Sequence, residues 1–172
     1  MKNSVKRCIG AVIILALCSG GLITSCKCSR EKTQESMMEK ALENATGEKT
    51  DVDINKDKVT IEGENYKTEI NNTGGKWSDE IPDDVPEFTW GTIQHTTVSE
   101  AEGTKTYGMY FKDVDPDVLE KYDASLKKNG FKTIKMTMDK GGTITAEKGK
   151  IIVTAIATDN GAHVSVQIRK EE

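Results

Sequence analysis

Between Asp51 and Asn71 apolar and polar positions alternate. Val52 and Ile54, Val59 and Ile61, then Tyr66, Thr68 and Ile70 fall on one side, and turn residues at 55–57 and 63–65 interrupt them. Period two with such breaks predicts a three-stranded meander with one apolar face. Ahead of it the period is helical. Met37, Met38, Ala41, Leu42 and Ala45 recur at threes and fours, which predicts a short helix over 32–45 that Gly47 ends. Its stripe reads as packing on the body of the protein or as a Met-bearing face for a partner. Three strands are marginal alone, so the meander is expected to lean on this helix or on the later domain.

Residues 71–75, Asn-Asn-Thr-Gly-Gly, break the pattern. Over 77–90 Pro82 and Pro86 disfavour regular helix, while Trp77, Ile81, Val85, Phe88 and Trp90 are too apolar for a free linker. A strap that buries these side chains is expected. From Gly91 strands are predicted over 92–99 and 104–112. A helix comes next, with Asp115 as N-cap, Pro116 in first position and Val118, Leu119, Tyr122 and Leu126 inside; Asn129-Gly130 stops it. Further strands are expected over 131–139, 143–147 and 151–158, and Asp159-Asn160-Gly161 turns the chain into Val164, Val166 and Ile168. The predicted class is α+β: an N-terminal short helix and β-meander, a Trp/Pro strap, then a two-layer ββαββββ domain over 91–172 with mainly antiparallel sheet. The strap and meander are expected on the sheet face away from the helix.

Composition sharpens this picture at the N-terminus. Lys2, Lys6 and Arg7 precede an apolar run over 9–17, then small residues and Leu22-Ile23-Thr24-Ser25-Cys26. That is the layout of a secretory signal. A branched apolar residue three before a Cys, with a small residue directly before it, resembles the lipobox of bacterial lipoproteins. The resemblance implies that Cys26 is acylated, with palmitate-like chains, and that residues 1–25 are cut away. Residues 26–76 then form the tether, short helix and meander. The other readings are a signal cleaved near Ser25 without acylation and an uncleaved membrane helix. Each places the remainder outside the cytoplasm, because basic residues stay inside. Two or three acyl chains give stable attachment, at about 0.8 kcal/mol per buried methylene.

The whole chain has 24 basic and 28 acidic residues, a formal net charge of −4. The leader carries basic residues and no acid, so the remainder of the chain is more acidic still. With no basic stripe, nucleic acid is not an expected partner. Of the four cysteines, Cys8 and Cys18 leave with the leader and Cys26 is the acylation site. Cys28 is left as a tether residue, so neither a disulfide framework nor a metal knuckle is expected. The lipobox, the helix ending in Ala-Thr-Gly, the Asp-Val-Asp-Ile strand, the 77–86 block and the Leu-Lys-Lys-Asn-Gly-Phe helix end together resemble a group of uncharacterised bacterial envelope lipoproteins. That resemblance covers most of the chain and implies location and architecture, not an activity.

Candidate chemistry is sparse. Asp51, Asp53, Asn55, Asp57 and Glu62 match positions 1, 3, 5, 7 and 12 of an EF-hand calcium loop, but Lys56 replaces its glycine and Lys58 adds positive charge. A β-hairpin with outward acids explains the same residues. Asp113, Asp115 and Asp117 read as helix capping rather than a metal site, and the acids between 79 and 87 as a solvated face. His95 and His163 are the only near-neutral bases, and neither lies in a recognisable nucleophile motif. No cofactor is expected. The expected function is a non-enzymatic binding or interaction module, lipid-anchored in the bacterial envelope, with an envelope protein or glycan as partner. Trp77 and Trp90 mark its expected binding surface. The alternatives are an envelope hydrolase using paired carboxylates and a calcium-dependent binding module.

Overall fold

The computed structural model describes residues 31–115 and 117–170. The expected leader, the expected acylation site Cys26, Cys28 and Pro116 lie outside the described residues. No helix among the described residues is long and apolar enough to cross a membrane.

Among the described residues two helices and nine strands succeed one another: α1 Glu31–Thr46, β1 Asp51–Ile54, β2 Lys58–Glu62, β3 Tyr66–Asn71, β4 Thr92–Ala101, β5 Thr104–Lys112, α2 Val118–Lys128, β6 Lys132–Met138, β7 Gly141–Lys148, β8 Ile151–Thr158 and β9 Gly161–Arg169. All nine strands join one antiparallel sheet in the order β1-β2-β3-β4-β5-β9-β8-β7-β6. The class is α+β, and the meander and its helix are both present. The ββαββββ order over 91–172 is matched in part. The elements come in that order, but the sheet runs on into the meander, because β3 pairs with β4 from Tyr66↔Ala101 to Asn71↔Thr96. Thr68 and Ser99 hydroxyls share a hydrogen bond of 3.0 Å across that seam.

Strand alternation assigns every side chain to a face. Along one face Val98, Tyr107 and Val166 are paired in register, as are Thr96, Met109 and Val164. This is the main core, where Tyr122, Leu126, Ile144, Val153, Val164 and Val166 are fully buried. Each such side chain contributes roughly 1.5–3 kcal/mol through its burial. Helix α2 lies over β6, β7 and β8. The 77–90 strap fills the rest of this same face: Ile81, Val85 and Phe88 are buried, and the Phe88 ring meets Tyr122 and Phe111 at 5.1 and 4.7 Å. The Tyr122 hydroxyl donates to the Pro86 carbonyl at 3.2 Å. The strap therefore sits beside the helix and not on the opposite face, as its sequence suggested. The eleven-residue helix lies over β6 to β8, and Phe88 of the strap packs on Phe111 of β5 beside it.

Helix α2 also starts later than expected. Its N-cap is Asp117, whose N–H donates to the Asp115 carboxylate at 3.0 Å. Asp115 thus closes the turn ahead of the helix rather than capping its first turn. At the other end Gly130 takes φ +84°, and Phe131 N–H bonds back to the Leu126 carbonyl.

The second core lies on the other side of the sheet. Val59 pairs with Ile70, Ile70 with Thr97 and Thr97 with Gly108, so this row faces away from Tyr107 and Val98. Leu42 and Met38 of α1 close over Val52, Val59, Ile61 and Ile70 here. The inner face of α1 is narrower than its stripe. Met37 is 68 % exposed, Ala41 and Ala45 face solvent, and Glu35 and Glu39 turn inward instead.

Candidate binding face

The two helices cover opposite faces at opposite ends of the sheet. On the α1 side, strands β4 to β6 have no layer above them among the described residues. The rows of this open face are set by register. Met136, Thr143, Ile156, His163, Tyr110 and His95 stand side by side across six strands, and the next row runs Ile134, Thr145, Thr154, Ser165, Gly108 and Thr97.

The centre of the first row is a stack of rings. Tyr110 lies between His95 at 4.0 Å and His163 at 4.2 Å, with planes tilted by only 21° and 22°. A register shift in β4 between Ile93 and His95 brings His95 into line. Gly108 makes room beside the stack. A Cβ there would collide with the Thr97 hydroxyl and come within 3.4 Å of His163 Nε2. Burial pushes the His163 imidazole down to about 4, helped by the nearby His95, and burial lowers His95 as well. Both rings are therefore neutral near pH 7. Next to the stack is a shallow depression of about 240 Å³, bordered by Gln94, Ile156, Thr158 and Asn160. The rows through Tyr110 and Gly108 hold rings, hydroxyls and aliphatic groups but no charge.

No family model matches this chain, and neither a curated protein nor a solved structure does.

A second depression of about 410 Å³ lies across the sheet, between the strap and β4–β5. Its ionisable groups are tied to one another. The Glu80 carboxylate takes an ion pair from Lys105 and accepts the Tyr107 hydroxyl at 2.7 Å. These two donors, Lys105 foremost, hold Glu80 below the usual carboxylate range. Glu69 and Glu100 are likewise lowered, chiefly by hydrogen bonds from Lys58 and Lys170. A general acid needs a raised carboxyl, and these three are shifted the other way.

Trp77 and Trp90 are half-buried against the main core, and Trp90 meets Phe88 edge to face at 5.4 Å. They sit on the packed side, away from the open face. The five calcium-loop candidates lie along the β1–β2 hairpin. Asp51 stands opposite Glu62, the Asp53 carboxylate accepts a bond of 2.9 Å from the Asn55 amide, and Asp57 is at the turn. No three His, Cys, Asp or Glu side chains among the described residues are grouped to hold a metal. His95, Tyr110 and His163 went unassigned in the sequence, which separates them by 15 and 53 positions; the β4–β5 hairpin sets His95 beside Tyr110, and the long-range β5–β9 pairing adds His163.

Proposed function

We propose that this chain is a lipid-anchored protein of the bacterial envelope, facing outside the cytoplasm, that acts as a non-enzymatic binding or interaction module. Cys26 holds it to the membrane through acyl chains. Residues 91–172 form the ββαββββ unit that carries recognition, and 26–76 lie on the tether side. Recognition uses the open sheet face centred on Tyr110 rather than Trp77 and Trp90.

The observation that carries this reading is the uncovered row of His95, Tyr110, His163 and Ile156 on a face that α1 covers only at its β1–β3 end. An open face of rings and hydroxyls exposes apolar area that water does not favour. Its two central rows carry no charge and suit an uncharged polymer, a glycan strand or an extended peptide, better than an ionic ligand. The lipobox resemblance supports the location.

A photo-crosslinking amino acid at Thr158, on the rim, is the test in cells. A discrete envelope component is expected at this position and not at Lys58 on the far side. Tyr110→Ala is expected to reduce the capture while the protein still melts cooperatively. Capture that ignores Tyr110→Ala, or that equals the Lys58 control, overturns the reading. Labelling with a palmitate analogue is expected for the wild type and absent from Cys26→Ala.

A further inference from the structure

Among the described residues the sheet has two edges, and only one is closed. At β1 the outward N–H groups of Val52 and Ile54 donate to Glu39 and Glu35 of α1 at 3.3 and 3.0 Å. Strand β6 pairs with β7 on one side and with nothing described on the other. A strand held on one side only points half of its backbone donors and acceptors outward. Its side chains add to the exposure: Ile134 is 77 %, Met136 65 % and Met138 53 % accessible, all three on the open face. Edges are commonly guarded by lysine. Here Lys135 turns to the other face, where its ammonium pairs with the Glu120 carboxylate of α2, so the guard is neutralised.

We infer that β6 is a docking edge for a second copy of this chain, pairing antiparallel with its β6 about a two-fold axis at Met136. Self-complementarity selects this occupant. Centred on Met136, the register sets Met136 against Met136 of the second copy and Ile134 against Met138, so all three exposed apolar side chains find apolar partners. On the other face Lys135 meets Thr137. Centring one residue earlier would set Lys135 against Lys135, and like charges directly opposite destabilise a sheet. At the ends Lys132 meets Lys140, which Asp159 already holds at 3.2 Å. An isologous contact of this kind closes a dimer and leaves no further edge of the same type. The paired strands are short, so the interface is at the small end of those that hold proteins together and the pair is concentration-dependent. The axis puts both α1 helices at one height, so two chains anchored on one membrane can pair; the pairing itself does not depend on the anchor.

Photo-crosslinking from position 136 of the full-length chain tests this, with Lys121 on α2 as the control position. The expected product has twice the chain mass and joins position 136 to residues 134–138 of another copy. Adducts to a different protein, or no dimer above the control, overturn the inference. Charge exchange then checks the register. Met136→Lys alone and Met136→Asp alone are each expected to lose the dimer, and a mixture of the two to restore it. Because Met136 is largely exposed, both variants are expected to keep the wild-type melting temperature in dilute solution, where the wild type is also single. A mixture no more dimeric than either variant overturns the Met136-centred register.

Discussion

The two edges of this sheet differ in the opposite sense from their sequences. Strand β1 reads Asp-Val-Asp-Ile, short and half apolar; β6 reads Lys-Thr-Ile-Lys-Met-Thr-Met and carries two lysines. By composition β6 is the better protected. In the folded chain α1 lies over the apolar face of β1, and its Glu35 and Glu39 occupy the outward N–H groups. At β6 the helix beneath draws Lys135 inward through Glu120 and leaves Ile134, Met136 and Met138 in solvent. What guards an edge is the layer packed next to it, more than the residues it contains.

The largest expected effect is in the packing under each edge. Leu126 of α2 is fully buried in the main core, and Leu42 of α1 closes a much smaller one. Leu126→Ala is expected to lower the unfolding free energy by about 3–5 kcal/mol and Leu42→Ala by about 2–3 kcal/mol, both read from urea unfolding. Equal losses would break the comparison, since they would make both ends equally well packed.

Between the edges, the ring stack gives the sheet a pH dependence. His163 titrates near 4 instead of 6.5 because the fold buries it. A base with a lowered folded value binds its proton less readily in the folded state. Its contribution is whole above pH 6.5 and is lost as the pH falls toward 4. The loss is about 2 kcal/mol after allowance for partial exposure. Stability measured from pH 7 to 4 in the wild type and in His163→Gln is expected to show the flatter profile in the variant.

The edge itself yields smaller effects. Glu35→Ala with Glu39→Ala is expected to cost about 1–2 kcal/mol and to speed hydrogen exchange at the Val52 and Ile54 amides. Met136→Lys is expected to leave the unfolding free energy of the single chain within about 0.5 kcal/mol, since it changes only what β6 meets outside.

Much of the fold was legible because it is local. Alternation located the strands, Asp159-Asn160-Gly161 the β8–β9 turn, and Asn129-Gly130 the end of α2. Three features were not. The return of β9 between β5 and β8 is a long-range pairing that no local period encodes, and it completes the His95–Tyr110–His163 stack. The inward turn of Glu35 and Glu39 is hidden because a carboxylate at a helical position reads as solvent-facing; only the β1 amides explain it. The strap misled because its apolar residues say that they are buried but not on which face. The geometry of Phe88 on Tyr122 decides that.

The most direct test of the two-edge account is hydrogen exchange of the β1 and β6 backbone amides across a range of protein concentrations. The account predicts that Val52 and Ile54 are protected at every concentration. The β6 amides that β7 does not hold are predicted to exchange freely in dilute solution and slow as the concentration rises. Outward β6 amides that stay fast at all concentrations, or that are already protected in dilute solution, would contradict it.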